Sequence, residues 1–305
     1  MNAAIIFILL LVLMLTGMPI SISLGLTVLT FLFGFTSVPL ESVALKLFTG
    51  IEKFEIMAIP FFILAGNFLT HGGVARRMIN FASSMVGHWY GGLGLAGVVG
   101  CALFAAVSGS SPATVVAIGS ILLPAMTRAG FPKSFGAGVI TTSGALGILI
   151  PPSIVMVMYS VATNTSVGAL FMAGVVPGLV LAGVLGGVTW YRARKFNYPR
   201  LPTATWSERF KAFRASAWGL LLIVIVMGGI YSGMFTPTEA AAMSAVYAFV
   251  VAVFVYKDMG LKDVPKVLLN SANMSAMLLY IITSAVLFSF IMTNENIPQA
   301  LADWM

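Results

Sequence analysis

Two polar interruptions in an apolar chain hold the residues that could do chemistry. The first is Ser108-Gly109-Ser110-Ser111, followed by Pro112-Ala113-Thr114. Apolar arms flank it over residues 91–107 and 115–127, and no residue between Arg77 and Arg128 carries a formal charge. The second is residues 144–153, ending in Ile150-Pro151-Pro152-Ser153. Proline has no N–H and clashes with the carbonyl four residues earlier, so Pro151 and Pro152 strip the helical partners from the carbonyls of Gly147 and Ile148. Ile150 and Pro151, each preceding a proline, are pushed away from helical dihedrals. Hydroxyls and freed carbonyls are neutral, hard oxygens, the donor set that suits Na⁺ without a dedicated carboxylate.

The elements that must position these groups are membrane helices. The chain has 305 residues, is 59% hydrophobic and 8% charged, and has a mean hydropathy of +1.03. No soluble core requires such a composition, so the chain reads as an all-α polytopic membrane protein. The net charge of +7 sits in short loops, the pattern membrane topology produces, and does not argue for nucleic-acid binding. A single cysteine, Cys101, leaves no role for disulfides. Backbone at membrane depth must be hydrogen-bonded, so a non-helical break survives there only inside protein or along a cavity. Each arm of the serine segment is shorter than the roughly 20 residues of a full span. Residues 91–127 are therefore expected to form a re-entrant hairpin turning at the serines. Residues 133–164 are expected to form a helix broken at the twin prolines. Discontinuous helices at matching depth mark a transporter binding site.

In chain order, residues 3–36 read as one long kinked span, with a two-span hairpin as the alternative. Residues 1–54 then form an N-terminal scaffold helix and a mixed-charge periplasmic connection. A first transport repeat covers 55–166: a short span, an amphipathic interfacial helix, the hairpin and the broken helix. Scaffold helices cover 167–256. They include a cytoplasmic loop, 192–214, with seven basic residues against Glu208. Residues 257–305 read as the start of a second, inverted transport repeat, because a span followed by Asn294-Glu295-Asn296-Ile297-Pro298 repeats the layout of 59–86. No second Ser-Gly-Ser-Ser or Pro-Pro break follows, so the chain is expected to be a C-terminally incomplete piece of a longer protein.

Several stretches in this order resemble the large membrane (M, DctM-type) subunit of TRAP transporters, the tripartite ATP-independent periplasmic family. They are Gly17-Met18-Pro19-Ile20, Ile59-Pro60-Phe61-Phe62-Ile63-Leu64-Ala65-Gly66, Gly87-His88 with Gly91-Gly92-Leu93, the two breaks, and Phe235-Thr236-Pro237-Thr238-Glu239-Ala240. The resemblance implies an elevator-type secondary transporter of the inner membrane, driven by a Na⁺ gradient and not an enzyme. It also implies a small four-helix membrane partner (Q) and a periplasmic substrate-binding protein (P) that delivers an organic acid such as a C4-dicarboxylate or sialic acid. By the same resemblance, Na⁺ is held by Ser108 and Ser111 with carbonyls of Gly147, Ile150 and Pro152. Ser110 and Thr114 are then the candidates to meet a substrate carboxylate, at the positive end of the helix that starts at Pro112.

Plainer readings compete at several of these positions. Ser111-Pro112 is also a good helix N-cap, but the opposing twin-proline break favours a site. Thr236-Pro237-Thr238-Glu239 reads as a capping box before a functional acid. His71 and His88 flank an amphipathic helix and read as interfacial, and Asn67 reads as interhelical glue. A serine protease would need a base on a neighbouring helix. A channel would show pore-lining acid rings or a repeated carbonyl filter. The remaining alternatives are an ion channel and a Na⁺-coupled anion transporter working without a binding protein.

Overall fold

The computed structural model describes residues 2–36 and 39–304, and they are helical with no strand among them. The helices are α1 (Asn2–Leu15), α2 (Ile20–Phe35), α3 (Leu40–Thr49), α4 (Ala58–His71), α5 (Val74–Val86), α6 (Gly92–Ser108), α7 (Ser111–Arg128) and α8 (Lys133–Gly144). They continue as α9 (Leu146–Leu149), α10 (Ile154–Thr163), α11 (Val167–Lys195), α12 (Trp206–Tyr231), α13 (Pro237–Val250), α14 (Val264–Asn294) and α15 (Ile297–Trp304). Among the described residues five stretches are long and apolar enough to cross a bilayer: Phe54–His71, Val167–Lys195, Trp206–Tyr231, Pro237–Val255 and Leu261–Asn294. A sixth is the pair Lys133–Leu149 and Ile154–Thr163, bent by 43° at the twin prolines. The all-α membrane architecture read from composition is thus the one observed.

The chain divides into two compact units. The first comprises residues up to Ile56 together with those from Asn273 onward. Its core joins Ile6, Val28, Phe31, Leu32, Val43, Leu287, Ile291 and Ile297. Residues 3–36 are two helices here, not one long span. Gly17, at φ +82°, and Pro19 interrupt the helix, and α1 and α2 pack against each other. A continuous helix would separate Ile6 from Phe31 by about 37 Å, yet both belong to one core. The connection expected over 37–54 contains α3; within it, Ser37 and Val38 lie outside the described residues. Asn2 Nδ2 donates to Glu295 Oε2 at 2.7 Å.

The second unit, Met57–Ala272, is built around the hairpin α6–α7. Glycine lets the two arms approach. A Cβ on Gly97 would meet Leu122 Cδ2 at 2.6 Å, and one on Gly94 would lie 3.7 Å from Met126 Cε. The pairing is therefore antiparallel, as a helical hairpin requires. α5 buries Val74, Ala75, Met78, Ile79 and Ala82, with Ile79 against Gly100 of α6. Its exposed Arg76 and its half-buried Arg77 pair with Asp258. α4 packs along α13, where Phe68 and Phe249 meet edge to face at 5.5 Å. Asn67 Nδ2 donates to Ser271 Oγ of α14 at 2.8 Å, the interhelical role its sequence position suggested.

The root of the hairpin is tied down by residues 196–201. The Tyr198 ring lies 4.8 Å from Phe135 and 5.5 Å from Phe131. Leu201 N–H donates to Gly87 O at 3.0 Å, and the Arg200 guanidinium sits 3.4 Å above the Tyr90 ring.

Candidate functional site at two opposed helix breaks

α6 ends at Gly109, which takes the left-handed conformation (φ +61°) and closes the helix with an N–H to Ala105 O bond of 2.9 Å. An L-residue would be strained there, and its Cβ would meet Pro152 O at 2.8 Å. The serine turn and the twin-proline break are therefore in backbone contact. The Pro151–Pro152 bond is cis. The Ile154 N–H, which would serve the Ile150 carbonyl in a continuous helix, donates instead to Gly109 O at 3.0 Å. That exchange frees the Ile150 carbonyl, and the prolines free those of Gly147 and Ile148. Among the described residues no backbone amide is bonded to the carbonyls of Gly147, Ile150 or Pro152.

Gly147 provides the second contact. A Cβ placed on it would lie 2.8 Å from Ser111 N and 2.9 Å from the Ser110 carbonyl carbon. Those neighbours are backbone, with no flexible side chain to swing aside. From the other side α4 presents Gly66, whose Cβ would meet Ser108 Cα and O at 3.2 Å. On α11, Gly174 packs against the Leu149 carbonyl and Gly178 against Ile150. Small residues thus stand wherever backbone must approach backbone.

Of the site residues expected from sequence, Ser108, Ser110, Ser111, Gly147 and Pro152 come together directly. Ile150 joins them through its freed carbonyl, while its side chain turns toward α11. Thr114 lies one turn into α7, against the serine turn. It is fully buried, its hydroxyl donates to Ser110 O at 2.9 Å, and it lies 3.0 Å from Ser108 Oγ. Both contacts hold the turn. The N-cap of α7 is Ser110 and not Ser111, and no side-chain cap bond forms there. The helix start therefore leaves its serine hydroxyls unspent.

Two residues escaped the sequence reading. Ser143, at the end of α8, and Ser153, just before α10, have buried hydroxyls with no hydrogen-bond partner among the described residues. Buried polar atoms of this kind call for a water, an ion or a ligand. Ser153 had a faint signal in its position directly after the prolines, whereas Ser143 had none. By contrast, the Thr236 segment is a closed capping box: Glu239 N–H donates to Thr236 Oγ1 at 3.3 Å, and Thr236 N–H donates to Glu239 Oε2 at 2.8 Å.

Comparison with known proteins places this geometry in context. Residues 7–305 match the family described as tripartite ATP-independent periplasmic transporter, DctM component. The chain is 76% identical to the C4-dicarboxylate TRAP transporter large permease protein DctM of Rhodobacter capsulatus, over 100% of this chain and 72% of that protein. It is 54% identical to the protein of the same description from Pseudomonas aeruginosa, over 93% of this chain and 66% of the relative. It is 37% identical to the sialic acid TRAP transporter large permease protein SiaM of Vibrio cholerae, over 96% of this chain and 68% of the relative.

Proposed function

Because the chain belongs to the DctM family of tripartite ATP-independent periplasmic transporters, we propose that it forms the Na⁺-binding part of an organic-acid importer of the bacterial inner membrane. The importer takes its substrate from a periplasmic binding protein and works with a small membrane subunit. A C4-dicarboxylate is the substrate class, since the relatives described by that substrate are 76% and 54% identical, against 37% for the one described as a sialic acid permease.

In this reading Na⁺ lies between the serine turn and the proline break. Ser108 and Ser111 contribute hydroxyls, and Gly147, Ile150 and Pro152 contribute carbonyls. The observation that carries it is the exchange of partners at Ile154, which joins the two breaks and releases the Ile150 carbonyl in one step. Ser110 meets the substrate carboxylate at the α7 N-terminus, where helix dipole and unsatisfied N–H groups favour negative charge. Thr114 positions the turn through Ser108 and Ser110. Cation and substrate anion then lie next to each other and partly neutralise one another, which couples their binding. The hairpin and the broken helix move as one body that carries both across the membrane.

The test is uptake of a radiolabelled four-carbon dicarboxylate into proteoliposomes containing the full-length complex and its binding protein. An inward Na⁺ gradient should drive accumulation, and Ser108→Ala with Ser111→Ala should raise the Na⁺ concentration that half-saturates uptake about thirty-fold or more. Uptake that proceeds equally well without Na⁺ would remove the site assignment.

A further inference from the structure

We infer that the groove between α6 and α11 is a built site for one anionic phospholipid of the cytoplasmic leaflet, with an acyl chain in the groove and its phosphate at Arg194. The groove has a volume of about 610 Å³ and runs between Leu95–Leu103 on one wall and Leu179–Trp190 on the other. Its lining is apolar except at one end, where Trp89 and Trp190 stand. The two helices run antiparallel, with Leu95 near Gly186. The groove therefore begins at the tryptophans and ends deep in the membrane.

Its dimensions select the occupant. From Trp190 to Leu179 is eleven helical steps, about 16 Å, which matches the roughly 15 Å of hydrocarbon in one leaflet. α11 carries glycine on this wall, and a Cβ added at Gly183 or Gly187 would meet nothing within 4 Å.

Charge completes the fit at the tryptophan end. The Arg194 guanidinium lies 5.4 Å from the Trp190 ring centroid, directly above a groove wall. Arg192, Arg194 and Lys195 make up the basic last turn of α11, and all three are exposed, with no carboxylate partner among the described residues. An unpaired guanidinium held by an interfacial tryptophan recognises a phosphate diester, and the basic excess assigns this end to the cytoplasmic side.

The experiment uses the full-length protein with its membrane partner in nanodiscs containing a photoactivatable phosphatidylglycerol, labelled near the middle of one acyl chain. Mass spectrometry of the cross-linked peptides should place the label on residues 95–103 and 179–190 in preference to the outward stripe at Val176, Val180 and Val184. Gly183→Leu with Gly187→Leu, whose Cβ atoms enter open space, should remove that preference. Arg194→Gln should reduce the advantage of phosphatidylglycerol over phosphatidylcholine about five-fold, the worth of one basic group at the surface. Equal labelling of the outward stripe, or no difference between the two lipids, would reduce the groove to ordinary lipid contact and overturn the inference. So would exclusion of lipid by a partner helix that cross-links there instead.

Discussion

Two helix starts in this protein look alike in sequence and spend their polar atoms in opposite ways. Thr236-Pro237-Thr238-Glu239 opens α13, and Ser110-Ser111-Pro112 opens α7. Each places a hydroxyl residue before proline in apolar surroundings. At Thr236 the side chains and amides close on themselves through two reciprocal bonds to Glu239. At Ser110 no cap bond forms, and across from the serines stand carbonyls whose amide partners are missing. A local motif that satisfies itself builds structure. One left unsatisfied, and faced by a second unsatisfied segment, is equipped to hold something else.

Substitutions can test that contrast, and the largest effect belongs to Gly147→Ala. The added methyl would press on the Ser110–Ser111 backbone and separate the two breaks. Na⁺-driven uptake should fall about a hundredfold or more, since displacements of an ångström at a preorganised site cost that much; activity within a few-fold of the parent would break the contrast. Ser108→Ala combined with Ser111→Ala comes next. Losing two oxygen ligands at about 1 to 1.5 kcal/mol each should raise the half-saturating Na⁺ concentration about thirty-fold or more, measured by titrating uptake against Na⁺.

Glu239→Ala should act in the other direction. It removes a cap, so the thermal unfolding midpoint of the full-length protein should fall in line with a loss of about 1 kcal/mol, while the Na⁺ half-saturation stays put. A shifted Na⁺ response in that variant would mean the two helix starts are not distinct. The smallest effect is expected from Asp258→Asn, which weakens a partly exposed pairing with Arg76 and Arg77. It should lower stability by no more than about 1 kcal/mol and leave uptake unchanged, as read by thermal melts and initial rates.

What could be read from the sequence was whatever depends on neighbouring residues. The hairpin arms expected over 91–107 and 115–127 appear as α6 and α7, displaced by a few residues. The proline break, the capping box and the family all followed from local residue types and their order. Contacts between distant segments were not readable in this way. That α1 folds back on α2 depends on Ile6 finding Phe31, and both an extended and a folded arrangement fit the same apolar run. The helix α3 was hidden by mixed charge, because Glu41 and Lys46 lie on its exposed side. The close backbone approaches at Gly66, Gly147 and Gly178 gave no signal, since close approach is a property of the partner backbone. That the Thr114 hydroxyl also engages the turn through Ser108 and Ser110 is a feature of three dimensions.

Finally, the fastening of Tyr198, Arg200 and Leu201 to the foot of the hairpin fixes which pieces can travel separately. If the hairpin moves as proposed, a segment gripped by tilted ring contacts, a guanidinium and a main-chain bond is expected to move with it. In that proposed motion the stretch joining α11 to α12 would travel with α6–α7. A fluorophore placed on that linker, far from the serines, would therefore register the stroke without touching the cargo.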